Sequence, residues 1–234
     1  MLRLQGGFMC GRISLFAELG DLASQFRFDP GLIEDVYQPS WNVAPTASVL
    51  AITAEDGRRT GAVMRWGFTF TGRRSGSGSS GPLFNARSET LTERPAFGVA
   101  FARRRCLVPV NGFYEWRDES GVRTPWWIHR GDGYPFALAG IYNSRNHEAA
   151  ACVITCAPNS LLEPIHNRMP VMLDAERWDD WLGPETDAAT LHDLLQPREW
   201  PDHTARLVSQ QVNRAGADGP QLVEPVDHAS PRML

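Results

Sequence analysis

The chain has 234 residues, enough for one large domain or two small ones with a real core. At 42% hydrophobic and 21% charged it has the balance of a soluble globular chain, and no apolar run approaches the roughly 20 residues of a membrane span. A formal net charge of −4 argues against a generally basic nucleic-acid coat and leaves room for a local patch.

Residues 1–8 lack the apolar stretch of an export signal, which makes the cytoplasm the expected location. They read as an N-terminal extension ahead of Met9-Cys10-Gly11-Arg12. If Met9 is the working start and is removed, Cys10 carries a free α-amine beside its thiol, a 1,2-aminothiol. Lysine is absent, so all 23 basic side chains are arginine and a lysine Schiff base is impossible. The amine able to attack a carbonyl is then the N-terminus. An α-amine titrates at about 7.7 to 8.0 against about 10.4 for lysine, which makes its free-base fraction at neutral pH some hundreds of times larger.

Downstream, residues 13–16 suit a strand, and Leu19, Leu22, Ala23 and Phe26 recur at helical spacing. A loop through 41–45 precedes strands over 48–53 and 62–66 that flank an Asp56-Gly57 turn. Residues 71–82 are a Gly/Ser-rich segment, read either as a surface insertion or as a mobile flap whose Arg73 and Arg74 reach a phosphate backbone. A helix over 95–104 follows, ending in arginines that suit the helix dipole. Strands over 106–110, 113–117, 125–129, 136–142 and 151–156 then form a dense antiparallel block, with turns at Asn111-Gly112, Ser120-Gly121 and 131–133. Short helices are expected over 159–163, 174–182 and after Asp187, then a strand over 205–208 and a flexible tail over 227–234. The sum is one α+β domain over 9–226, a curled, barrel-like antiparallel sheet with peripheral short helices.

Four cysteines (Cys10, Cys106, Cys152, Cys156) are too few for a disulfide framework, and with no ligand pattern among the six histidines a metal or other cofactor is not expected. In a strand Glu115 shares a face with Phe113, while Tyr114 and Trp116 point the other way. A carboxyl in apolar company keeps its proton to higher pH, as a general acid does; the alternative is an edge-strand glutamate facing water. His166 and Arg168 sit on a turn-rich loop between Pro164 and Pro170, either surface residues or groups held by a rigid scaffold. Asn85 and Arg87 alternate on an extended segment, suited to an amine or hydroxyl and to a phosphate respectively, or to capping and solvent.

Met-Cys-Gly-Arg at 9–12, Asn-Val-Ala-Pro at 42–45, Trp66-Gly67-Phe68, the run at 85–90, the run from Cys106 to Trp116 and the run at 165–170 together resemble the SRAP family of abasic-site processing proteins. The resemblance runs in the family's order from residue 9 to about 225. It implies single-stranded DNA as partner, a monomeric protein and a thiazolidine formed between an N-terminal Cys10 and the aldehyde of an abasic site. Asn85 would orient the amine, Glu115 would act as acid and base, and His166 would assist proton transfer. Arg12 and Arg87 would hold phosphates with Arg168 nearby, Pro45, Trp116 and Thr155 would shape the pocket, and Trp66 would lie at the strand. The family's further aromatic after Trp-Gly-Phe is missing, with Phe70 as a stand-in. Two other readings use the same residues: a cysteine peptidase built on Cys10, His166 and Glu115, and a non-enzymatic single-strand binder.

Overall fold

The structure is a computed structural model that describes residues 10–69, 81–145, 148–214 and 216–226. The expected extension and tail, and Phe70, Arg73 and Arg74, lie outside the described residues. The first elements are β1 (Ile13–Leu15), α1 (Leu19–Phe26), β2 (Ser40–Val43), β3 (Ser48–Glu55), β4 (Arg58–Trp66), β5 (Asn85–Arg87) and α2 (Pro95–Arg103). There follow β6 (Arg105–Val110), β7 (Gly112–Glu119), β8 (Val122–Arg130), β9 (Phe136–Arg145) and β10 (Glu148–Cys156). Last come β11 (Met169–Pro170), β12 (Met172–Leu173), α3 (Trp178–Leu182), α4 (Ala188–Leu194) and β13 (His203–Leu207).

Strands β4, β3, β6 and β9 pair in that order, and β10 pairs with both β9 and β4, which closes a five-stranded barrel. An odd ring cannot alternate direction all the way round. One pair must run parallel, and it is β4 with β10. Where β4 ends at Trp66, β5 takes over the same edge of β10, also in parallel, pairing Asn85 with Val153 and Arg87 with Thr155. The second sheet, ordered β13-β8-β7-β1-β2, is antiparallel throughout. Its inner face carries Ile13, Phe113 and Ile128 into the main core, and its outer face carries Tyr114 and Trp127 into a smaller core with Val208 and Val212.

Three local expectations are corrected. Residues 40–43 form β2 on β1 rather than a loop: all four are half-buried, so no alternation marks them, and Trp41 is held by a 5.2 Å stack on Phe16. Residues 159–163 are successive turns closed on the carbonyls of Asn159 and Leu162, because Pro164 has no N–H with which to continue a helix. Asn111 is no hairpin turn but the single residue between β6 of the barrel and β7 of the second sheet. Its side-chain oxygen accepts from the N–H groups of Phe16 and Ala17. Residues 174–182 divide into a 3-10 turn over Ala175–Arg177 and α3.

At this crossing Gly112 is required by close approach. A Cβ there would lie 2.3 Å from Trp127 Nε1 and 2.6 Å from the Ile128 carbonyl oxygen. Trp127 cannot retreat freely, because its Nε1 donates to Ser14 Oγ at 2.9 Å. Gly112→Ala is expected to lower stability by about 1–3 kcal/mol, the usual cost of overpacking. Urea unfolding should show a lower midpoint at an unchanged slope; an unchanged midpoint would contradict the packing seen here.

Candidate active site

Cys10 is fully buried at the start of the described chain, just before β1. Its backbone nitrogen donates to Glu115 Oε1 at 2.8 Å, and its carbonyl oxygen accepts from Asn85 Nδ2 at 3.1 Å. Asn85 thus holds the carbonyl of Cys10 rather than its nitrogen. The two partners come from different sheets: Glu115 from the middle of β7, and Asn85 from β5 on the edge of the barrel. Strand alternation places Glu115 on the inner face with Phe113.

The Glu115 carboxyl is fully buried, so the water-facing alternative is set aside. Burial pushes it up to about 8, against the opposing pull of the Cys10 N–H and of the Arg123 charge. Its second oxygen has no hydrogen-bond partner among the described residues and lies 3.9 Å from His166 Nδ1. That nitrogen lies 3.1 Å from the Arg168 carbonyl oxygen and 3.2 Å from the Arg168 backbone nitrogen. Burial pulls His166 below its ordinary value, so its imidazole is neutral near pH 7. Burial also raises the Cys10 thiol well above its usual range, with the Glu115 charge adding to the effect.

Beside this trio opens a cavity of about 550 Å³ lined by Gly11, the residue after Cys10, with Arg12, Pro45, Phe84, Trp116, Arg123 and Asn213. Arg12 Nη1 donates to Asn42 Oδ1 at 2.7 Å and to the Val212 carbonyl at 3.2 Å, so its guanidinium is partly committed. Arg168 is ion-paired with Glu89 and donates to the Thr155 carbonyl at 2.7 Å. Arg87 is exposed on β5 and has no ion-pair partner among the described residues. Thr155 is buried, its hydroxyl 3.4 Å from the Ala86 carbonyl, and it backs the site from β10. Trp66 is a correction: its ring is fully buried, with Nε1 donating to the Phe84 carbonyl at 2.9 Å, so it props Phe84 from beneath and does not face a strand.

Arg123, Asn213 and Phe84 were missing from the sequence reading. The β7–β8 register supplies a signal for the first, since Trp116 opposite Pro125 and Asp118 opposite Arg123 put Trp116 and Arg123 on one face. Asn213 has no such signal, lying on a 3-10 turn far along the chain. A smaller cavity of about 270 Å³ near Leu15, Tyr37 and Val49 contains no acid or base besides Tyr37, whose hydroxyl donates to the Ala17 carbonyl at 2.7 Å. The four cysteines are buried and unpaired, and no group of metal-ligating side chains occurs among the described residues. Among the described residues no helix is long and apolar enough to cross a membrane.

A model of the SOS response associated peptidase (SRAP) family matches residues 9–215. The abasic site processing protein YoqW of Bacillus subtilis is 37% identical over 223 residues, covering 92% of this chain and 99% of that one. The Escherichia coli abasic site processing protein YedK is 27% identical over 237 residues, covering 93% and 100%. Among solved structures, a protein from Bacteroides thetaiotaomicron superposes with a TM-score of 0.80 at 25% identity, covering 93% of this chain and 100% of that one. With the family model matching most of the chain and a relative 37% identical across nearly the whole of both proteins, the chain belongs to the SRAP family.

Proposed function

We propose that this protein processes abasic sites, capturing them in single-stranded DNA as a covalent adduct through Cys10 once Cys10 is the first residue. The observation that carries the reading is the 2.8 Å contact from the Cys10 nitrogen to a buried glutamate that keeps its proton to about pH 8. The relatives' printed names, abasic site processing proteins, support the substrate. Loss of residues 1–9 turns the Cys10 amide nitrogen into an amine.

The chemistry follows from the groups present. Glu115 gives its proton to the ring oxygen of the abasic deoxyribose and takes one back from the anomeric hydroxyl as the ring opens to the aldehyde. The Cys10 amine adds to the aldehyde carbon, and a proton from Glu115 lets the resulting hydroxyl leave as water, giving an imine. The thiol then adds to the imine carbon and its proton passes to nitrogen, relayed by neutral His166. The balance is one aldehyde and one aminothiol in, one thiazolidine and one water out, with no redox step. Asn85 fixes the carbonyl of Cys10 so that its nitrogen faces Glu115, and the exposed Arg87, with the uncommitted part of Arg12, is available to backbone phosphates. The same imine is the intermediate from which strand cleavage by β-elimination departs.

A cysteine peptidase needs a thiolate, usually made by a lowered thiol pKa. Here burial and Glu115 act in the opposite direction. Aminothiol capture needs the thiol only after the amine has reacted.

The chain beginning at Cys10, mixed with an oligonucleotide bearing one abasic site, is expected to give a heat-stable adduct whose mass is the sum of the two minus one water. Cys10→Ala and the chain that retains residues 1–9 should give none. Peptide turnover without any adduct would sink the proposal. Unaltered adduct yield from Cys10→Ala would do the same.

Glu115→Gln should slow adduct formation by about a hundredfold, the scale of a lost general acid, while binding to a tetrahydrofuran abasic analogue holds. Equal losses in rate and binding would refute the acid role. The same variant has a stability signature. The wild-type carboxyl goes from about 8 in the fold to its ordinary 4.5 when unfolded, so the native state is penalised increasingly as pH rises between those values. Unfolding in urea should show the two proteins alike near pH 4 and the glutamine variant more stable by on the order of a few kcal/mol near pH 9. A difference independent of pH would rule out a carboxyl held protonated.

A further inference from the structure

Arg123 stands apart from the other arginines at the cavity. Its guanidinium carbon lies 5.6 Å from the centroid of the Trp116 ring, and its side chain is exposed with no ion-pair partner among the described residues. Asp118, opposite it in the β7–β8 register, uses Oδ1 to accept the Gly121 N–H at 2.8 Å. The platform beneath is rigidly built. Trp116 Nε1 donates to Asn213 Oδ1 at 2.9 Å, Asn213 Nδ2 donates to Gln210 Oε1, and Gln210 Nε2 donates to the Arg123 carbonyl at 2.9 Å. This circuit ties ring, 3-10 turn and the Arg123 backbone together.

Resting on the reading of the site as one for abasic DNA, we propose that Arg123 is the strand-binding cation of this cavity, its guanidinium held on the Trp116 ring to take a phosphate of a nucleotide flanking the lesion. Arg12 and Arg168 already spend donors on Asn42, Val212, Glu89 and Thr155, whereas Arg123 has its guanidinium to give. The contact also reaches the chemistry. The positive charge of Arg123 acts on both Glu115 and His166, lowering each. The other ionisable groups facing this pair are the Cys10 thiol and Arg168, the latter neutralised by Glu89. A phosphate on Arg123 cancels its field, so Glu115 and His166 hold protons more firmly once a strand is bound. Strand binding and proton uptake are thereby linked.

The test uses the protein beginning at Cys10 and a single-stranded oligonucleotide carrying a tetrahydrofuran analogue, which binds and cannot react. For Arg123→Gln the affinity should fall about fivefold at 0.1 M salt and the slope of log affinity against log salt should shrink by about 0.7, the values for one phosphate on a single strand. Arg123→Lys should restore the slope, since it keeps the charge. Calorimetry in two buffers of unlike ionisation heat should show proton uptake on binding by the wild type, and less by Arg123→Gln. Loss of affinity at an unchanged salt slope would make Arg123 a mere support for Trp116 and overturn the proposal, as would unchanged affinity. Adduct formation on a true abasic strand is scored in parallel with the wild type. Its absence would count against covalent capture alone, because the analogue measures Arg123 without any aldehyde.

Discussion

The site depends on one carboxyl kept out of water. Glu115 lies at the middle of a strand whose inner neighbours are core residues, and a register slip of one position would turn it to the outer face and bring Tyr114 or Trp116 inside. The slip is blocked from both sides, since β7 is paired with β8 over its whole length and with β1 near its start. A buried carboxyl with one oxygen left without a hydrogen bond among the described residues is unfavourable for the fold. It persists because the barrel, closed and without free edges, supplies a core large enough to carry that deficit. The cost falls on the native state, and the result is a carboxyl that keeps its proton at neutral pH.

Because the chain has no lysine, its cations are guanidiniums, and the structure divides them by what they touch. Arg105 is buried and structural. Its donors go to the carbonyls of Trp181 at 2.6 Å, Phe101 at 2.7 Å and Ala102 at 3.0 Å, which joins the end of α2 to α3. Arg59 similarly bridges the Phe26 carbonyl and Asp179. Arg87 and Arg123, by contrast, are exposed beside the site. A protein of net charge −4 thus offers a local cationic rim because much of its positive charge is locked into the scaffold elsewhere.

How much of this was legible in the residues varies with the physical signal. The strands of the barrel were readable from apolar runs such as 136–142 and 151–156, set off by turn residues such as those at 131–133. The side of β7 on which Glu115 lies followed from period-two alternation alone. Its burial did not, because alternation says which residues share a face and not which face is covered. Closure of the ring and the parallel β4–β10 and β5–β10 pairings are long-range facts with no local mark. Trp66 was misjudged for the same reason: an aromatic suits a core and a stacking surface equally well, and only the position of Phe84 over it decides. Asn85 was found through its extended segment, yet the atom of Cys10 that it holds depends on how two sheets meet.

The hydrogen bonds from Arg12 to Val212, from Asn42 to Ala217 and from Trp116 to Asn213 have an implication for biogenesis. The wall that holds Arg12 and Trp116 is made from residues separated from Arg12 by up to about two hundred positions along the chain, so it forms only when the stretch through residues 212–217 has left the ribosome. Cys10 is synthesised about two hundred residues ahead of the stretch that completes the wall beside it. During translation Cys10 and Arg12 exist before the frame around them, which is completed only with the stretch through residues 212–217.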